Sequence, residues 1–177
     1  MMSKKRRCLM EKMRRKKRQV TDLAVIKQFI REMTVVRLAF YDEDYPYLVP
    51  VNFGHTWEDE DLILYIHGAN EGKKMRLLAA NSHVAVELDG HHRLIPGKEA
   101  ASFSYGYQSL IGKGNAEVVT EIVEKRRGLA LLMEQVAPGY ESPALSEQML
   151  QRTAVIKIRV ADYQMKQNPA PLKENNQ

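Results

Sequence analysis

The 177-residue chain has a single cysteine, Cys8. No disulfide can close within it, and a reducing compartment suits it. It also lacks any apolar run of the length that a signal peptide or a membrane-spanning helix needs, so a cytoplasmic protein is expected. Nucleotide fingerprints are missing too. Between Gly68 and Gly72 stand only three residues, and Lys74 falls where a phosphate-binding loop carries Ser or Thr for magnesium. The Gly112 and Gly114 pair lacks the third glycine of a dinucleotide turn. No internal repeat is present. The length and a hydrophobic fraction of 44% suit one globular domain with a sizeable core.

Charge is unevenly spread. Residues 1–18 hold ten Lys or Arg against Glu11 alone, a net +9 that leaves −4 for the rest of the +5 total. The basic stretch has no interleaved aromatic residue and no accompanying nucleic-acid motif, which reads against nucleic acid as a partner. We expect residues 1–12 to be a solvated basic arm, 13–163 the folded domain, and 164–177 a polar tail, disordered beyond Asn168.

Periodicity gives the elements. Thr21 or Asp22 can cap a helix whose Leu23, Ile26, Ile30 and Met33 recur on one face. Strands are expected at 34–41, 47–53 and 62–67, joined by acidic turns into a three-stranded meander. A helix follows from 71 to 81, then strands at 83–88 and 105–119 around an irregular loop, 91–104, in which His91 and His92 read as solvated residues. A helix over 121–136, a short helix over 143–150 and a strand over 153–160 complete a mainly antiparallel sheet or barrel with outer helices.

The segment 45–74 concentrates the chemistry. Pro50 and Asn52 interrupt an apolar strand, which suggests polar contacts with something other than a sheet partner. Lys73 and Lys74 would lie in the first turn of a helix, where free N–H groups and the macrodipole are already positive. With an anion the arrangement becomes a phosphate clamp. Charge alone fits two solvated surface lysines equally well. His67 ends its strand and reads either as a backbone-bonded histidine or as a proton carrier.

The segments MRRKKRQVTD (13–22), DYPYLVPVNF (44–53), LYIHGANEGKK (64–74), YQSLIGKGNAEVV (107–119) and RTAVIKI (152–158), in this order, resemble the flavin-binding split-barrel proteins related to pyridoxamine 5'-phosphate oxidase. The likeness is to the branch named for nitroimidazole resistance. That resemblance implies a six-stranded antiparallel split β-barrel that binds flavin mononucleotide (FMN) at a homodimer interface. It implies phosphate contacts from Lys73 and Lys74, ring contacts from Val51 and Asn52, further contacts from Gly68, Ala69 and Ser109, and His67 beside the flavin as the catalytic residue. No metal ligand set is implied. The residues 13–18 are expected to pack on the domain or touch ligand, and Arg152 reads either as a site residue or as an ordinary strand-end arginine.

The implied activity is flavin-mediated reduction of a nitroaromatic or other small organic acceptor. A non-catalytic module holding haem or flavin is the alternative, with His67 as an axial ligand. Pyridoxamine phosphate oxidase activity is a further alternative, although the Arg, Leu and Pro of that enzyme's C-terminal motif occur here only in mid-chain, as Arg93, Leu94 and Pro96.

Overall fold

The computed structural model describes residues 11–140 and 145–168. Most of the basic arm, Cys8, the start of the helix expected at 143 and the tail beyond Asn168 lie outside them. Among the described residues no helix is long and apolar enough to cross a membrane.

After a 3-10 turn, Lys16–Arg18, and a two-residue strand β1, Gln19–Val20, the chain enters α1, Leu23–Glu32. Asp22 caps it, accepting from the Ala24 N–H at 2.8 Å, and Ile26, Phe29 and Ile30 form its buried face. Strands β2, Val35–Phe40, and β3, Tyr47–Asn52, make the expected hairpin. Two strands follow, β4, Gly54–Glu58, and β5, Asp61–Ala69. Then come α2, Lys73–Ala80, β6, His83–Ile95, β7, Ser104–Val118, α3, Ile122–Val136, α4, Glu147–Arg152, and β8, Thr153–Asn168.

All eight strands join one antiparallel network in the order β3-β2-β6-β7-β8-β5-β4, with β1 added on β8. The six expected strands are present; β1 and β4 are the additions. The expected meander is not: β3 pairs only with β2, and β5 pairs with β4 and β8. The cause lies at the junction of β3 and β4. Phe53 is fully buried, and Gly54 packs so tightly on α3 that a Cβ there would stand 2.2 Å from the Leu132 amide nitrogen. The chain is thereby carried across to the other edge of the sheet.

Three more expectations change. β6 does not end at Gly90; it passes through a bulge and pairs Arg93, Leu94 and Ile95 with Gly106, Tyr105 and Ser104. His91, at φ 57°, sits in that bulge. His91 and His92 are therefore strand residues with carboxylate partners, Glu32 at 2.9 Å and Asp89 at 2.8 Å. β8 continues past Val160 through Asn168, so residues 164–168 of the expected tail are strand. Arg152 closes α4 rather than opening a strand.

The sheet rolls around Val36, Leu38, Phe40, Leu62, Leu64, Ile66, Leu88, Ile156 and Ile158, with Phe29 and Ile30 of α1 joining that core. Each such side chain contributes roughly 1.5–3 kcal/mol by leaving water. A smaller cluster, Ile63, Tyr65, Val119 and Val155, lies on the other face of β5, against Leu129 and Leu131 of α3. β5 is buried on both faces, which explains its unbroken apolar run.

Candidate functional site

The rolled sheet does not close with a hydrogen-bonded ladder. β3 is an edge strand that touches β5 without pairing to it, and α2 starts just beyond β5. Pro50 can occupy β3 only where the ladder needs no donor. In its register opposite Arg37, this turns the main-chain groups of Leu48, Pro50 and Asn52 toward the open edge. Among the described residues no ladder partner takes those groups, which suits a planar heteroatom-bearing ligand. The side chain of Val51 packs against the core, whereas Asn52 is exposed and its amide donates to the Thr34 carbonyl at 2.9 Å.

At the other end of β3, the start of α2 gathers positive charge. Gly72 precedes the helix at φ 114°, with no side-chain cap and no acidic residue in the first turn. Only glycine adopts that backbone readily. Lys74 folds back over β5: its Nζ lies 3.1 Å from the position a Cβ on Gly68 would take. It is half-buried, has no hydrogen-bond or ion-pair partner among the described residues, and burial pushes its pKa below the ordinary lysine value. Lys73 behaves differently. Its Nζ stands 2.5 Å from Asp42 Oδ2 and 5.0 Å from the centre of the Tyr47 ring. Tyr47 and Asn52 are five residues apart on β3, about 17 Å. That span suits a ligand with phosphate at one end and a ring at the other.

The remaining expected site residues fall elsewhere. His67 pairs with Val155, whose side chain lies on the α3 face, while Gly68 faces Lys74. Side chains alternate along a strand, so His67 and Lys74 occupy opposite faces of β5. The His67 ring is exposed and without a hydrogen-bond partner among the described residues. Ala69 is exposed opposite Thr153. Ser109 lies between Asp89 and Lys166. Since His67 aligns with Val155 of β8 and Ser109 with Lys166, eleven residues further along, about 35 Å of strand separates them. Ser109 thus stands beside the far end of β8, and Gly68, beneath Lys74, beside its start.

Sequence reasoning missed the partners of Lys73. Residue type marks the acidic cluster at 42–44 as a turn, yet an acid there reaches the lysine that the helix start places opposite. Sequence reasoning also missed a second cationic group, at the Ser109 end of the sheet. Arg18 donates to the Tyr107 hydroxyl at 3.2 Å, and Lys166 Nζ lies 5.6 Å from the same ring centre. This docks the 13–18 segment on the domain. Gln164 adds to it by donating to the Glu11 carbonyl at 2.7 Å.

Comparison with solved structures gives the same fold. A Bacteroides thetaiotaomicron protein described as a candidate 5-nitroimidazole antibiotic resistance protein matches with a TM-score of 0.72 and 26% identity, over 84% of this chain and 85% of that one. A flavin adenine dinucleotide (FAD) and haem binding protein from Mycobacterium smegmatis matches with a TM-score of 0.74 and 21% identity, over 89% and 78%. The flavocytochrome Anf3 from Azotobacter vinelandii matches with a TM-score of 0.74 and 18% identity, over 93% and 76%. The fold is therefore the split β-barrel. No curated protein sequence matches significantly. A family profile described as pyridoxamine 5'-phosphate oxidase matches residues 22–167, from the cap of α1 almost to the end of β8. The chain belongs to the pyridoxamine 5'-phosphate oxidase family.

Proposed function

We propose that this protein binds FMN along the open edge of β3 and uses it to reduce small organic acceptors, nitroaromatic compounds foremost. The observation that carries the reading is Lys74: a half-buried ammonium without a counterion among the described residues, beside an uncapped helix start and at the foot of an open strand edge. The donor set suits a phosphate, and the main chain at Leu48, Pro50 and Asn52 suits the ring. When bound, flavin supplies the electron-carrying chemistry. The chain's own residues anchor the phosphate, orient the ring against β3 and keep one side of it from water. We assign to His67, whose ring is exposed and has no hydrogen-bond partner among the described residues, delivery of a proton to the acceptor; lying on the face of β5 away from Lys74, it would serve the site of a second copy. The nitroaromatic preference leans on the likeness to the Bacteroides protein.

A homodimer is part of this reading. Ser109 pairs near the far end of β8 and Gly68, beneath Lys74, near its start, and a second copy would bring Ser109 to the ligand that Lys74 holds. Light scattering over a dilution series tests this, and a monomer at every concentration would sink it. The neighbour that binds FAD and haem favours a second reading, a haem- or flavin-holding module with His67 as ligand.

The visible spectrum of the purified protein, before and after addition of FMN and removal of the excess, tests the cofactor. We expect a retained two-band flavin spectrum, and about 10- to 100-fold weaker FMN binding in Lys74→Ala, the range for a lost charge-assisted hydrogen bond. A protein that releases all added FMN overturns the reading, and a Soret band replaces it with haem. Anaerobic nitro reduction by the FMN-loaded protein, with His67→Ala alongside, then tests the activity; no turnover by the wild type rejects it.

A further inference from the structure

Lys73 and Lys74 are adjacent in the sequence but not equivalent in the structure. Successive residues on a helix point about 100° apart. Lys74 accordingly leans over Gly68, while Lys73 turns toward the β2–β3 connection. There it meets two groups at once, the Asp42 carboxylate at 2.5 Å and the face of Tyr47. The carboxylate is held in place. The Tyr45 N–H bonds the Asp42 carbonyl at 3.1 Å, Glu43 adopts φ 47° to close the turn, and the Asp42 side chain is only 21% exposed. Glu43 and Asp44, next in the chain, are exposed and have no ion-pair partner among the described residues. One of three consecutive acids is thus committed to one of two consecutive lysines.

We infer that Asp42 is the resident counterion of the phosphate seat: it holds Lys73 in the ligand-free protein, leaves Lys74 as the cation an incoming phosphate meets, and opposes that phosphate by its own charge. This rests on the reading of residues 68–74 as a phosphate seat. Asp42 cancels one of the two lysine charges, so it sets the charge of anion the seat accepts. A phosphomonoester becomes a dianion above a second pKa near 6. Removing the Asp42 charge therefore favours it most at neutral pH and at low salt. Asp42 also ties α2 to the β2–β3 hairpin, so an anion that draws Lys73 away loosens that tie.

The test uses the full chain as wild type, Asp42→Asn, Glu43→Gln, Lys73→Gln and Lys74→Gln. Inorganic phosphate is titrated while the amide resonances of residues 72–75 are followed by NMR, and FMN and riboflavin are titrated by flavin fluorescence. Asp42→Asn is expected to tighten phosphate and FMN about two- to five-fold, the scale of a half-exposed charge pair. It should leave riboflavin unchanged, and Glu43→Gln should do less. Lys73→Gln should weaken phosphate binding less than Lys74→Gln does. An unchanged or weaker phosphate affinity in Asp42→Asn overturns the inference, as does a Lys73→Gln loss equal to that of Lys74→Gln. The lysine comparison decides by itself should Asp42→Asn fail to fold. If phosphate tightens as expected while FMN binds no better than phosphate, the flavin reading fails and the role of Asp42 stands. Phosphate that binds neither wild type nor Asp42→Asn overturns both.

Discussion

Gln135 of α3 and His55 of β4 hold each other at 2.8 Å, Oε1 to Nδ1, while the Gln135 amide nitrogen lies within 3.1 Å of the Ile30, Arg31 and Met33 carbonyls. One side chain thereby closes the C-terminus of α1, where the Ile30 carbonyl also accepts from the Met33 N–H at 3.2 Å and the carbonyls beyond it lie past the last helical donors. Gln135→Leu removes these bonds without a large change in volume. We expect a loss of about 1–3 kcal/mol from the unsatisfied groups, read as a lower urea midpoint at unchanged slope. A midpoint equal to that of wild type rejects the clamp.

The same contact fixes a tautomer. The Gln135 amide nitrogen donates to carbonyls, so its oxygen accepts, and the His55 proton must sit on Nδ1. Burial, the largest influence, holds the His55 pKa below the ordinary 6.5; the Gln135 bond and Glu134 oppose the shift, and Arg31 adds to it. In the unfolded chain His55 takes up a proton near pH 6.5, while the folded protein resists it. The stability this group contributes is therefore present above pH 6.5 and lost as pH falls below it. Urea unfolding at pH 7.5 and 5.5 should show a drop in wild type that His55→Gln reduces. An equal drop in both sinks the assignment.

Two glycines separate fold from site. On Gly54 a methyl group would meet the main chain of Leu131 and Leu132 at 2.4 and 2.2 Å, and neither backbone can yield without moving α3. Gly54→Ala is expected to cost about 3 kcal/mol or more. On Gly68 the nearest atoms are the flexible end of Lys74, at 3.1 and 3.7 Å. Gly68→Ala should stay within about 0.5 kcal/mol of wild-type stability and yet weaken FMN binding by displacing that ammonium. A Gly68→Ala protein that melts early but binds FMN normally reverses the assignment.

Much of the fold was legible because local signals agreed with the final contacts. Asp22 before an apolar stripe marked α1, and alternating Val84, Val86 and Leu88 marked β6. The course of the chain after Phe53 was not legible. The 54–58 stretch has little apolar alternation, and its placement depends on how closely Gly54 approaches α3, a contact remote in sequence. The extension of β6 was hidden for a related reason: a bulge at His91 breaks the period while preserving the pairing. At the site, the lysine pair and Pro50 could be read from residue type. The division of labour between Lys73 and Lys74 could not, since it depends on Asp42 of another element. Nor does a linear sequence reveal that His67 and Lys74 lie on opposite faces of β5.

Beneath α3, the Tyr65 hydroxyl donates to Glu124 Oε1, and Lys157 reaches the same oxygen at 3.2 Å and Glu58 Oε1 at 3.3 Å. Tyr65 is 1% exposed; burial first, and then its bond to Glu124, push its pKa from 10.0 up to about 12. An unfolded chain releases this proton near pH 10, whereas the folded one keeps it until about pH 12. The contribution is therefore complete below pH 10 and is lost as pH rises toward 12. At the acid end the Tyr65 bond is the main reason that the Glu124 pKa lies below 4.5, so stability from Glu124 is lost as pH falls below that value. Tyr65→Phe keeps the ring and removes both couplings. It should cost about 1 kcal/mol at pH 7, flatten the decline in stability between pH 10 and 12, and move the Glu124 titration upward. Urea melts across pH 7 to 11.5, with carboxylate shifts followed by NMR, provide the readout. An alkaline decline as steep in Tyr65→Phe as in wild type would place the titrating group elsewhere.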